Sequence, residues 1–174
     1  GMAVTVSAAD TVTTSPKGDK NDRGSITITN VDAAVPSGEI AEGTKGIKLY
    51  PILQAAYDET TGAFKGYVAT SSDIEGILDS FQKGENQSAK GYIDALKDGA
   101  AKDLTAGVIK ELAGKKGTAL EGVVFTKSSE TTDQEINTAT YTSSGVPVGM
   151  YLVEIPGTEN IIYNHAVASV YYKK

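Results

Sequence analysis

Polar and apolar residues alternate along much of the chain with the period of two that is typical of β-strands. The clearest alternation covers 25–31, where Ile26, Ile28 and Val31 are separated by Thr and Asn. Pro51 lies inside a second apolar stretch, and it predicts a bulge or an edge position because it cannot donate a backbone hydrogen bond. The predicted strands are 3–12, 25–31, 45–57, 63–70, 122–126, 136–142, 145–155 and the closing pieces 161–163 and 166–172. This pattern predicts a mainly β, antiparallel sandwich.

Between 71 and 117 the apolar period changes to that of helices. Ser72 and Glu75 match a Ser-x-x-Glu capping box, which predicts a helix from 72 to about 83 that ends at Gly84. Two further amphipathic pieces cover 92–96 and 104–112. Three short helices have too little apolar surface to fold alone. We therefore expect a helical insertion within a single domain, 1–174, in which 1–23 is an exposed or edge-strand lead-in.

Composition excludes several classes of protein. The 174 residues include no Cys and one His, His165. A disulfide scaffold, a cysteine nucleophile and a multi-histidine metal site are therefore excluded. The formal net charge of −6 makes nucleic acid a poor partner. We expect no cofactor, no bound metal and no nucleic-acid partner.

No apolar stretch approaches the roughly 20 residues that a membrane crossing requires. We therefore expect no membrane contact by this fragment. Gly1 and Met2 look like a tag remnant joined to a cloned start. The fragment is therefore interpreted as trimmed, with a signal peptide and an anchor removed.

Motifs for catalysis are weak, and we predict that the protein is not an enzyme. There is no Gly-x-Ser-x-Gly nucleophile motif, and 114–118 lacks the spacing of a phosphate-binding loop. The segment 19–30 begins like a calcium loop but has Asn30 where a bidentate Glu is required. Weak surface calcium stays open there, as does a small hydrolase with acids beside His165.

Four segments carry a resemblance to a known family. They are GSITITN (24–30), GIKLYPILQAAYD (46–58), VPVGMYLVEI (146–155) and YNHAVASVYYKK (163–174). With them the chain resembles the N-terminal domain of shaft pilins, the subunits of sortase-assembled pili of Gram-positive bacteria. The resemblance implies an immunoglobulin-like sandwich of the Cna B type. It also implies an extracellular location in the cell wall or pilus.

The same resemblance points to a lysine near the end of the chain. In the family, a Val-Tyr-Pro-Lys-Asn motif carries the lysine that attacks the sortase acyl-enzyme. Here 170–174 reads Val-Tyr-Tyr-Lys-Lys, so Lys173 corresponds to that lysine, while Tyr172 replaces Pro and Lys174 replaces Asn. The implied partners are a pilus-type sortase and neighbouring pilin subunits.

Many pilin domains also contain an internal isopeptide bond between Lys and Asn, which a buried acid promotes. By position the candidates here are Lys48, Asn164 and the acid Glu154. Two features argue against the bond. The strand 25–30 has no Lys, and Glu154 follows Tyr151 by three residues instead of four, which puts the two on opposite sheet faces.

A second hypothesis is an adhesin or binding module of a cell-wall-anchored surface protein. Loops on a rigid sandwich commonly carry recognition. The insertion 71–117 or the polar loop 126–134 would then bind a host extracellular-matrix protein or a glycan.

Overall fold

The computed structural model describes residues 5–8, 18–84, 104–132 and 136–172. Within them the chain forms eight strands and two helices. The strands are β1 (Thr5–Ala8), β2 (Arg23–Asp32), β3 (Lys48–Tyr57), β4 (Phe64–Ala69), β5 (Thr126–Thr132), β6 (Asn137–Pro147), β7 (Gly149–Glu154) and β8 (Ala166–Val170). The helices, between β4 and β5, are α1 (Ser72–Gly84) and α2 (Ala106–Lys115).

The strands form two four-stranded sheets, in the orders β1-β2-β6-β5 and β4-β3-β7-β8. Every strand pair is antiparallel. Apolar side chains of both sheets join one buried core, to which β2 contributes Ile26 and Ile28 and β7 contributes Met150 and Leu152. The predicted mainly β architecture with antiparallel sheets is confirmed.

Several local predictions are also confirmed. The β3–β7 register shifts between Pro51 and Leu53, where the proline predicted an irregularity. The predicted strands 45–57 and 63–70 pair as β3 and β4, and the alternating stretch 25–31 lies inside β2. Residues 149–153 of β7 are all buried, as expected of an inner strand between β3 and β8.

Both helices begin at capped residues. The Ser71 hydroxyl accepts a hydrogen bond from the Ile74 amide at 3.1 Å, so the cap of α1 is Ser71. The predicted capping box at Ser72 and Glu75 is therefore wrong by one residue. Thr105 caps α2 by accepting from the Val108 amide at 3.2 Å. The predicted helix at 92–96 lies outside the described residues.

The predicted single strand 145–155 is wrong, because the chain changes sheets inside it. β6 ends at Pro147 in the first sheet and β7 starts at Gly149 in the second. The Tyr151 hydroxyl donates to the Pro147 carbonyl at 2.6 Å and closes the bend. A Cβ on Gly149 would lie 2.5 Å from the Leu53 carbonyl oxygen, so the two backbones meet where only glycine fits.

Two other strand predictions are displaced. Residues 123–125 are not in a strand, because Phe125 turns into the core and its carbonyl accepts the Gly38 amide at 2.8 Å. The polar stretch from Thr126, predicted as a loop, forms β5 at the sheet edge. Residues 161–165 are irregular, and the last strand is 166–170. Pairing with β6 overrides the local polarity of β5.

The close approach at Gly149 allows a test of the point where the chain crosses from the first sheet to the second. We expect Gly149→Ala to lower the free energy of unfolding by about 1–3 kcal/mol, because the added methyl group meets rigid backbone. Gly76→Ala in α1 is the matched control. That site has open space, so the substitution is expected to stabilise by about 0.5–1 kcal/mol. Urea denaturation measures both, and equal effects of the two substitutions would contradict the account.

Candidate functional site

The last described residue, Tyr172, is held in an aromatic and polar cluster. Its ring packs against the Phe64 ring with centroids 4.7 Å apart. On another side it fills the space over Gly18, where a Cβ would lie 2.6 Å from the ring. Gly18 also has a positive φ of 68°, so both geometry and space require glycine.

The Tyr172 hydroxyl lies within hydrogen-bond distance of three oxygens. It is 2.9 Å from both the Asp19 carbonyl and the Asp22 carboxylate, and 3.1 Å from the Tyr57 hydroxyl. Burial raises the pKa of Tyr172, and the neighbouring Tyr57 and Asp22 raise it further. The phenol therefore stays protonated as a donor. We call this cluster the Tyr172 lock; it comprises Gly18, Asp19, Asp22, Tyr57, Phe64 and Tyr172.

The turn that receives Tyr172 satisfies its own polar groups. The Asp19 amide donates to the Asp22 carboxylate at 2.7 Å, and the Asn21 amide donates to the Asp19 carboxylate at 2.7 Å. The Arg23 guanidinium donates to the Lys20 and Asp22 carbonyls, both at 2.9 Å. Side chains of the segment 1–23, predicted as an exposed or edge-strand lead-in, thus form the hydrogen-bonded turn that contacts Tyr172.

The candidate acceptor Lys173 lies outside the described residues. The structure describes Tyr172, the residue before it. Tyr172 contacts the turn at Gly18–Arg23 and the strands β3 and β4, so the chain is held up to Tyr172.

The candidate acid Glu154 lies at the other end of β7 in a charged cluster. Its carboxylate is 3.1 Å from the Lys116 Nζ and 3.3 Å from the His165 Nε2. Lys116 and His165 are themselves 3.4 Å apart. The Tyr50 hydroxyl makes a longer contact with Glu154 at 3.5 Å, and Lys116 also lies over the Tyr50 ring, 4.7 Å from its centroid.

Opposing effects act on the Glu154 carboxyl. Burial alone would raise its pKa, but the hydrogen bonds and charges of Lys116 and His165 outweigh burial, and the pKa lies below its usual value. Burial and the nearby Glu154 raise the pKa of Tyr50. The cluster therefore holds an ionised carboxylate, whereas an acid that polarises an amide for isopeptide formation must be protonated.

The three candidates for an internal bond are not brought together by hydrogen bonds. Lys48 is directly opposite Glu154 in the β3–β7 register, but its side chain is exposed. Asn164 is exposed in the β7–β8 loop. Glu154 instead pairs with Lys116, which directly follows α2 and was not among the candidates from the sequence. The internal bond through Lys48 and Asn164, against which the sequence features argue, stays untested.

A buried acid that the sequence analysis missed is Asp32, at the end of β2. It is 3% exposed, and its carboxylate accepts from the Thr158 hydroxyl, the Asn160 amide group at 2.9 Å and the Ala34 backbone amide at 2.9 Å. Burial tends to raise the pKa of Asp32, but these hydrogen bonds outweigh it and lower the pKa. The Asp32 amide also donates to the Tyr163 hydroxyl at 2.9 Å.

Asp32 therefore fastens the β7–β8 loop to the first sheet. The only sign of this role in the sequence is the position of Asp32, directly after the most regular predicted strand and before apolar residues. Its side-chain partners, Thr158 and Asn160, are more than 120 residues away in the chain, so local patterns do not show them.

The described residues give little support to the hypothesis of a small hydrolase. His165 has an acid beside it, as the hydrolase hypothesis required, but its neighbours within hydrogen-bond distance there are Glu154 and Lys116. Neither is a hydroxyl nucleophile. Among residues 5–8, 18–84, 104–132 and 136–172, no three His, Asp or Glu side chains gather to hold a metal ion.

Comparison of the chain with protein-family models, curated proteins and solved structures finds no significant match. Neither described helix is long and apolar enough to cross a membrane.

Removing the Tyr172 hydroxyl tests the lock. We expect Tyr172→Phe to lower the free energy of unfolding by about 1–2 kcal/mol, since Asp22 and Tyr57 lose a partner in a half-buried site. Tyr50→Phe is the matched control, because its hydroxyl makes only a 3.5 Å contact. Thermal and urea unfolding measure the difference. A loss for Tyr172→Phe no larger than that for Tyr50→Phe would contradict a lock.

The Glu154 cluster predicts a pH dependence. Because the folded-state pKa is lowered, the stabilisation is fully present above the ordinary value of 4.5 and is lost as pH falls through the folded-state pKa. The stability difference between wild type and Glu154→Gln should therefore be largest near neutral pH and shrink in acid. Urea unfolding across pH measures it, with Glu159→Gln, an exposed acid, as control. A difference that does not change with pH would contradict the ion-pair assignment.

Proposed function

We propose that this chain is a structural domain of a covalently polymerised Gram-positive pilus and serves as a sortase substrate. In this proposal Lys173 is the acceptor lysine. The observation that carries it is the Tyr172 lock, which fixes the chain directly before that lysine. The partners are a pilus-type sortase and neighbouring pilin subunits, outside the cell.

The fold is compatible with the proposal but is not specific to pilin domains. Two antiparallel sheets of four strands each pack around one core, an architecture compatible with the immunoglobulin-like, Cna B-type sandwich that the resemblance implies. The helices α1 and α2 between β4 and β5 are compatible with a helical insertion at 71–117. Neighbouring strands held by antiparallel ladders suit a domain that carries load.

The proposed reaction is an exchange of one acyl bond for another. The deprotonated amine of Lys173 attacks the carbonyl carbon of a thioester between sortase and a sorting signal. A C–N bond forms, the C–S bond breaks, and the sortase cysteine leaves as a thiolate that takes up the proton lost by the amine. A fixed chain before Lys173 lowers the entropic cost of presenting the amine.

The test is conjugation in vitro. The protein is incubated with a pilus-type sortase and a sorting-signal peptide, and conjugates are mapped by mass spectrometry. We expect peptide on Lys173 and loss of the conjugate in Lys173→Ala. Lys174→Ala, one residue away, and Lys65→Ala, an exposed lysine on β4, should retain it.

Conjugation that is absent in wild type, or that is scattered over several lysines, would contradict the proposal. The binding-module alternative would then be the better one. The exposed hydroxyl and carboxylate side chains of β5, at the free edge of the first sheet, favour that alternative as a recognition surface for a host protein or glycan.

A further inference from the structure

The Glu154 cluster, which comprises Tyr50, Lys116, Glu154 and His165, joins separate elements of the fold. Glu154 is the last residue of β7, His165 lies directly before β8, and Lys116 lies directly after α2. One carboxylate oxygen, Glu154 Oε2, is 3.1 Å from the Lys116 Nζ and 3.3 Å from the His165 Nε2. Two basic side chains therefore share one acceptor atom.

His165 is the group of this cluster whose charge changes near neutral pH. Imidazole ordinarily gains its proton between about pH 8 and pH 5, and lysine changes charge far above that range. Glu154 stays ionised there: burial raises its pKa, but the contacts with Lys116 and His165 lower it below the usual value. The His165 side chain is 29% exposed, so a proton reaches it without unfolding of the chain.

The position of the proton on His165 decides how the three charged side chains pair. The Nε2 atom can accept a hydrogen bond from Lys116 or donate one to Glu154, but it cannot do both. In the neutral ring, the lysine cation 3.4 Å away favours a lone pair on Nε2 and the proton on Nδ1. Lys116 then donates to both Glu154 and His165. In the charged ring, Nε2 donates to Glu154, and two positive charges lie side by side.

The neighbouring groups do not compensate a second positive charge. On β3, Lys48 lies opposite Glu154 in the strand register, and the Tyr50 hydroxyl is 3.5 Å from the Glu154 carboxylate. The adjacent strand β8, Ala166–Val170, has no titratable side chain. One carboxylate would therefore face three basic groups. Lys116 is the one that can leave, because its long side chain gains rotamer freedom in solvent, whereas His165 is short and precedes a paired strand.

We propose that the Glu154 cluster is a pH-sensitive contact between the end of α2 and the second sheet. Near neutral pH, Lys116 bridges Glu154 and His165 and holds the end of α2 at β7. When His165 takes up a proton, it becomes the partner of Glu154, and Lys116 turns into solvent. The Leu120 amide, which donates to the Leu49 carbonyl at 2.8 Å, still holds the following segment to β3. The last turn of α2 is thus loosened in mild acid while the sheets stay intact.

NMR spectroscopy tests the pairing directly. The chain has one imidazole, so the ring signals of isotope-labelled protein belong to His165 alone. Long-range proton–nitrogen correlation spectra give the tautomer, and we expect the neutral ring to carry its proton on Nδ1. Lys116→Met should move that proton to Nε2, because Nε2 can then donate to Glu154. Lys48→Met removes an exposed lysine of β3 as the matched control, and it should leave the tautomer unchanged.

Amide hydrogen exchange measures the consequence for α2. After correction for the intrinsic effect of pH on exchange, protection of residues 111–115 should fall by about two- to fivefold from neutral pH to mild acid, the range of one partly exposed ion pair. In His165→Gln, which keeps a polar side chain that does not titrate, this fall should disappear. The amides of β6 in the first sheet are the internal control and should not change.

Three results would overturn the proposal. The first is a neutral wild-type ring with its proton on Nε2, and the second is protection of α2 that is equal at both pH values. The third is a fall in protection that persists in His165→Gln, because the titrating group would then lie elsewhere. The contact is separate from Lys173, so none of these results depends on the proposed pilin function.

Discussion

The crossing of the chain from one sheet to the other at Pro147–Gly149 is the constraint on which the other features depend. Gly149 lets the β7 backbone approach the Leu53 carbonyl, and the Tyr151 hydroxyl closes the bend on Pro147. The crossing sets the register of β7 between β3 and β8. Since Gly149 pairs with Val170, it also sets where the chain leaves β8 and where Tyr172 meets its partners.

The two ends of the second sheet are built differently. At the crossing end, an aromatic cluster and a self-satisfied polar turn hold Tyr172. At the other end, two carboxylates fasten irregular segments: Asp32 holds the β7–β8 loop and Glu154 joins β7 to Lys116 and His165. In both places, charged or polar groups with several partners organise backbone that has no ladder of its own. The proposed acceptor lysine depends on the first of these ends.

Much of the sheet structure could be predicted from the sequence, because the alternation of polar and apolar residues, as at 25–31, acts over short distances. The strand β5 could not, since its polar residues show no buried face and it forms by pairing with β6. The sheet change near Pro147 was hidden because residues 146–153 form one continuous apolar stretch, which covers the end of β6 and most of β7. Partners of the site residues were the least predictable. Asp32 with Thr158, and Glu154 with Lys116, meet only after folding, and no local pattern encodes such pairs.

The proposed function requires that the Tyr172 lock holds the chain directly before Lys173. The most direct measurement compares the initial rate and the position of sortase-catalysed conjugation in wild type and in folded Tyr172→Phe, at a temperature where both are native. The account predicts a slower reaction at Lys173 in the variant and a larger share of conjugate on other lysines. An unchanged rate and an unchanged position would contradict it.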